Sequence, residues 1–303
     1  MRLNNLRGDL EVINLSHEKD VATEYGSAEL KDKKYLRSLT LEWDSHVEID
    51  EAEAIVGYEM SMEGLQPHEN LLELTLTNYG GVKVSTWLSS LTNLVNLTLK
   101  DCKKCEYLVS LNQFHCLKVL NLQNLESIEL PNLKGWWREI VISGEEDEHI
   151  SLPCLPSLSK LKIQDCARMT CLPLYPHLEQ LTLENNLKPL EETLRMKMMM
   201  SSTAASSFFP LSKLKTLRLT KIENLECLLD WFESLTSSLN KLYIWDCPKL
   251  KDLCLGILHL SSLRNLWIEK CEGLADMLNG DDGIMWKALN GRLHSLQLWF
   301  CQI

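Results

Sequence analysis

The chain has 303 residues, 31 Lys+Arg against 42 Asp+Glu, and a formal charge of -11. That balance argues against a surface for nucleic acid or anionic lipid, because phosphate recognition needs surplus positive charge. About 60 residues are leucine, and 45% of the chain is hydrophobic, which is too apolar for disorder.

No apolar run approaches the roughly 18 residues of a membrane span, so no membrane insertion is expected. The start, MRLNNLRGDLEVINL, lacks the basic region, apolar core and cleavage site of a secretory signal. Eleven cysteines, an odd number without such a signal, read as reduced thiols in the cytoplasm or nucleus.

In chain order the leucines fall into a recurring L-x-x-L-x-L, closed at the ninth position by a small or apolar residue. A looser unit, Leu10-x-Val12-x-x-Leu15, comes first. Full units follow at Leu36-Leu39-Leu41-Asp44, Leu71-Leu74-Leu76-Tyr79, Leu94-Leu97-Leu99-Cys102 and Leu117-Leu120-Leu122-Leu125. The next three are Leu158-Leu161-Ile163-Cys166, Leu178-Leu181-Leu183-Asn186 and Leu214-Leu217-Leu219-Ile222. The last are Leu239-Leu242-Ile244-Cys247, Leu263-Leu266-Ile268-Cys271 and Leu293-Leu296-Leu298-Cys301.

Most units start about 20–25 residues apart, the period of leucine-rich repeats. The predicted class is therefore an α/β repeat, a leucine-rich-repeat solenoid of about 11 units. It would be a curved horseshoe, with short parallel strands on the concave face and loops or short helices on the convex face. Within each unit the second and third leucines lie two apart, so both point to one side of a strand. One unit cannot bury that face alone; stacked neighbours can.

Residues 1–303 read as one such domain, with insert loops near 45–65, 140–152, 187–212 and 276–290 where the spacing lengthens. The inserts hold polar material: Val47–Gly57, the acidic Gly144-Glu-Glu-Asp-Glu-His149, Met196–Phe208, and Asn279-Gly-Asp-Asp-Gly283. The array starts at Met1 and stops two residues after Cys301 without a polar cap, which predicts end-on dimers or aggregates.

Catalytic and metal chemistry find little footing. Five cysteines (Cys102, Cys166, Cys247, Cys271, Cys301) occupy ninth positions, where a thiol packs as a small hydrophobe against the turn. Cys102-Lys-Lys-Cys105 has no second ligand pair, so zinc is not expected. There is no phosphate-binding G-x-x-x-x-G-K-[ST], no G-x-S-x-G and no H-E-x-x-H. The expectation is a non-enzyme without cofactor or metal.

If positions four and six point inward, positions three, five and seven face outward. The early units then present Ser38, Thr40, Glu42, Glu73, Thr75 and Thr77. Middle units present Lys160, Lys162 and Gln164, then Thr216, Arg218 and Thr220. Late units present Lys241, Tyr243 and Trp245, then Asn265, Trp267 and Glu269, then Ser295, Gln297 and Trp299. Two readings stand for the four late aromatics. They form a protein-binding surface with Lys241, Arg218, Lys160 and Lys162, or they stack as cross-strand neighbours that stabilise the sheet.

Specific segments carry a family resemblance over nearly the whole chain. They include Leu6-Arg-Gly-Asp-Leu10, Leu36-Arg-Ser-Leu39-Thr-Leu41-Glu-Trp43, Tyr79-Gly-Gly81 with Ser85-Thr-Trp-Leu88, and Leu99-Lys-Asp-Cys102-Lys-Lys-Cys105. Others are Leu130-Pro-Asn-Leu-Lys-Gly-Trp-Trp-Arg138, Pro210-Leu-Ser-Lys-Leu214, Cys247-Pro-Lys-Leu250, and Asp281-Asp-Gly283 with Trp286. The sequence resembles the leucine-rich-repeat region of plant coiled-coil-type nucleotide-binding resistance proteins.

That resemblance implies a defence role. The repeats would recognise a pathogen effector or a modified host protein, and in a full-length receptor would restrain its nucleotide-binding domain. The coiled coil and nucleotide-binding domain are expected to be absent from this chain. The alternative is a ubiquitin-ligase adaptor of the F-box type or another stand-alone repeat scaffold; residues 1–35 hold a repeat where an F-box would lie.

Overall fold

A computed structural model of the chain describes residues 5–16, 25–44, 51–106, 113–126, 155–169, 172, 175, 177–193, 211–228, 235, 238–253, 256–274, 289 and 291–299. They belong to two compact units, Met1–Leu158 with Asp165–Met169, and Ser159–Gln164 with Thr170–Ile303.

The first unit holds five strands: β1 (Gly8–Leu15), β2 (Leu36–Trp43), β3 (Glu73–Thr77), β4 (Asn96–Lys100) and β5 (Val119–Gln123). Each pairs in parallel with the next, so the repeat leucines align in columns. One column is Leu39, Leu74, Leu97 and Leu120; the other is Leu41, Leu76, Leu99 and Leu122. All eight are buried, as period-two alternation requires.

The second unit repeats the scheme with β6 (Lys160–Gln164), β7 (Gln180–Glu184), β8 (Thr216–Thr220), β9 (Lys241–Trp245), β10 (Asn265–Glu269) and β11 (Ser295–Trp299). Here the columns run Leu161, Leu181, Leu217, Leu242, Leu266, Leu296 and Ile163, Leu183, Leu219, Ile244, Ile268, Leu298. Both units are leucine-rich repeats.

Strands β3 to β10 end in the same backbone device. The eighth residue of a repeat adopts the left-handed conformation: Asn78, Asp101, Asn124, Asp165, Asn185, Lys221, Asp246 and Lys270 all have φ between 51° and 62°. This turns its N–H toward the next repeat. Asn78 donates to the Lys100 carbonyl at 3.0 Å, Lys221 to Trp245 at 2.9 Å, and Lys270 to Trp299 at 2.9 Å. Asparagine and aspartate tolerate this region best, which explains six of the eight. The side chains join in as well: Asn124 Nδ2 donates to Asp101 Oδ1 at 2.6 Å.

The first insert differs from its expected form. Residues 51–64, read as part of a loop, form helix α1 (Glu51–Gly64). Its Glu, Ala and Met content favours helix over loop. Tertiary contacts complete the preference: Trp43 Nε1 donates to Ser61 Oγ at 2.9 Å, and Trp87 Nε1 to the Met62 carbonyl at 3.0 Å. Tyr79 sits edge-on to Trp43 at 5.0 Å between centroids and to Tyr58 at 6.1 Å. Its hydroxyl donates to the Lys83 carbonyl at 2.6 Å. The glycine pair behind Tyr79 has a steric cause: a Cβ on Gly80 would strike the Tyr58 ring, and one on Gly81 the Tyr79 phenol. The insert near 140–152 lies outside the described residues, as do residues 194–210 of the one near 187–212 and all but residue 289 of the one near 276–290.

Candidate protein-recognition face

The register of the second unit sorts its outward side chains into three rows. The first runs Lys160, Gln180, Thr216, Lys241, Asn265, Ser295. The second is Lys162, Thr182, Arg218, Tyr243, Trp267, Gln297, and the third Gln164, Glu184, Thr220, Trp245, Glu269, Trp299. All eight residues singled out from the sequence therefore lie on one sheet face, in three adjoining rows about 4.8 Å apart from strand to strand.

The middle row is stacked. The Arg218 guanidinium lies 4.2 Å from the Tyr243 ring centroid, and Tyr243 is 6.2 Å from Trp267 with a 37° tilt. Trp267 Nε1 donates to Glu269 Oε2 at 3.2 Å, which pins the indole. Trp267 remains 38% exposed and Trp299 63%, whereas Tyr243 and Trp245 are half-buried. The two sequence readings are thus not exclusive in geometry: Tyr243 and Trp267 do stack across strands, while Trp299 projects into solvent.

Trp245 has cations that the strand pattern missed. Lys221 Nζ lies 5.6 Å from its ring and Lys270 Nζ 5.0 Å. Both occupy the eighth position, which strand alternation assigns to neither face because it lies in the turn. The available signal was lysine at a position that holds Asn or Asp in the other six repeats of β3–β10. Lys221 also pairs with Glu184 at 2.9 Å and forms part of the wall of an open cleft of about 460 Å³, with Asn185, Lys188, Glu191 and Asn224.

The ninth-position thiols behave as packing groups. Cys102, Cys166, Cys247 and Cys271 are buried and unbridged; Cys301 lies outside the described residues. Cys102 donates to the Lys100 carbonyl at 3.3 Å, and burial pushes its thiol up to about 12. The hydrogen bond to Cys271, together with burial, holds Cys247 well above the ordinary thiol range. Among the described residues no group of three or more His, Cys, Asp or Glu could hold a metal, and no helix is long and apolar enough to cross a membrane.

Residues 1–125 match the family described as R13L1/DRL21 leucine-rich repeats. A protein named for disease resistance, RPP13-like protein 1 of Arabidopsis thaliana, is 26% identical over 90% of this chain. The chain is thus similar to the leucine-rich repeats of plant disease resistance proteins. Disease resistance protein RGA2 of Solanum bulbocastanum is 28% identical over 73% of the chain. Aligned segments cover 28% of the first relative's length and 24% of the second's. The chain thus spans roughly a quarter of the length of the relatives it matches.

Proposed function

We propose that this chain is the recognition module of an intracellular plant immune receptor. It senses a pathogen effector or a modified host protein and, within a full-length receptor, restrains the nucleotide-binding domain. Residues Lys160, Lys162, Arg218, Lys241, Tyr243, Trp245, Trp267 and Trp299 form the contact face. The observation that carries this reading is the exposed indole of Trp299 beside the stacked Arg218–Tyr243–Trp267 row. Aromatic and arginine side chains at the centre of a face are the residue types that dominate protein association.

The test is proximity labelling in leaf cells with the chain fused to a biotin ligase. The wild type should mark a defined set of proteins that Trp299→Ala loses, with melting temperature changed by no more than about 1 °C, because the ring is largely exposed. Trp267→Ala should lose the same set but also cost roughly 1 kcal/mol through the broken Tyr243 stack. Identical labelling by all three chains would sink the reading in favour of a purely structural ladder.

A further inference from the structure

The two rows that hold Lys160, Lys241, Lys162 and Arg218 contain no acidic residue on β6–β11. The acids of this face, Glu184 and Glu269, both sit in the third row, and both are engaged, by Lys221 at 2.9 Å and by Trp267 at 3.2 Å. The chain is acidic as a whole at -11, yet the only charged residues in these two rows are cations, set among neutral polar and aromatic side chains. Arg218 is exposed, and no described carboxylate pairs with it. Its guanidinium is instead laid against Tyr243, with the tyrosine backed on its other side by Trp267. Stacking of this kind leaves the N–H edge available and holds the plane in position, the arrangement that a carboxylate bridges with two hydrogen bonds.

Resting on the recognition face proposed above, we infer that its occupant is an acidic, extended protein segment. One carboxylate is taken by Arg218, and an apolar side chain lies on Trp267. These two positions are two strands apart, about 10 Å. An extended chain covers that distance in roughly three residues, so the acid and the apolar residue stand about three apart in the partner's sequence. Lys162, two strands from Arg218 on the other side of Thr182, receives a second acid about as far away. Lys160 and Lys241 add attraction along the first row and speed the encounter without fixing the register. A basic or neutral segment would leave the guanidinium desolvated and unpaired, which selects against it.

The experiment pans the full chain against random dodecapeptides displayed on phage, then measures the selected peptides by fluorescence anisotropy. Selected peptides should be rich in Asp and Glu, with an apolar residue about three positions from an acid. Arg218→Gln should weaken them roughly tenfold or more, while Arg218→Lys restores only part, because the two-pronged bond is lost. Lys162→Gln should reduce affinity less and flatten its dependence on salt. Arg218 is an exposed side chain, so both variants should stay folded, with at most a small drop in melting temperature where Gln gives up the stack on Tyr243.

Neutral or basic peptides that bind and are lost with Trp299→Ala would overturn the acidic occupant while leaving the recognition face standing. Peptides indifferent to both Arg218→Gln and Trp299→Ala would overturn the two together. A mixed-sequence 12-nucleotide single strand serves as the competing polyanion. Tighter binding to it than to the acidic peptides, dependent on Arg218, would replace the peptide reading with a nucleic-acid one.

Discussion

Replacing Leu242 with alanine probes how these repeats hold together. Leu242 is fully buried on β9, directly between Leu217 of β8 and Leu266 of β10. Losing three buried carbon groups removes about 2.4 kcal/mol of transfer free energy at ~0.8 kcal/mol each. The two flanking leucines are held by their own strands and cannot collapse fully, so the residual cavity raises the loss to about 3–4 kcal/mol. Arginine at the same position should cost more, since a buried charge would have no partner.

Because each repeat contacts mainly its neighbours, the damage should also be local. Urea unfolding followed by tryptophan fluorescence measures the loss, and native-state hydrogen exchange locates it. Amides of β8, β9 and β10 should lose protection while those of β2, β3 and β4 keep it. A loss below about 1 kcal/mol, or protection falling equally in every strand, would refute nearest-neighbour stacking as the source of stability.

Other expectations follow from single features. Gly81→Ala should cost about 1–3 kcal/mol by thermal melting, since the new methyl group has to displace the Tyr79 phenol that bonds to Lys83. Asn124→Ala removes the bond to Asp101 and puts a poorer residue at φ 51°, for a loss of roughly 1–2 kcal/mol; Asn124→Asp should not recover it, because a carboxylate tolerates this φ but cannot donate and would face the Asp101 carboxylate. The Cys102 thiol titrates near 9.0 when unfolded and at about 12 when folded. Its contribution to stability is thus complete below pH 9 and is lost as pH rises toward 12, so wild type should lose more stability than Cys102→Ala across that window. At pH 8, iodoacetamide should alkylate exposed Cys116 well before Cys102 in the native chain.

Much of this protein was readable from one pattern. Two leucines separated by one residue determine which side of a strand is apolar, whatever surrounds it, so the columns from Leu39 to Leu122 and from Leu161 to Leu298 followed from sequence alone. The same alternation put Lys162, Arg218, Tyr243 and Trp267 on the outward side. It was silent about their order of contact, because alternation specifies a face and says nothing of rotamers or neighbours.

Tertiary structure decided the rest. It stacked Arg218 on Tyr243, drew Lys221 and Lys270 from the turns to Trp245, and buried Tyr243 and Trp245 by half while leaving Trp299 in solvent. It also turned residues 51–64 into a helix that accepts the Trp43 and Trp87 indole protons. The division has a physical origin. Periodicity is a property of consecutive residues, whereas these contacts join residues 24 or more apart in some pairs, brought together only when parallel strands stack in register.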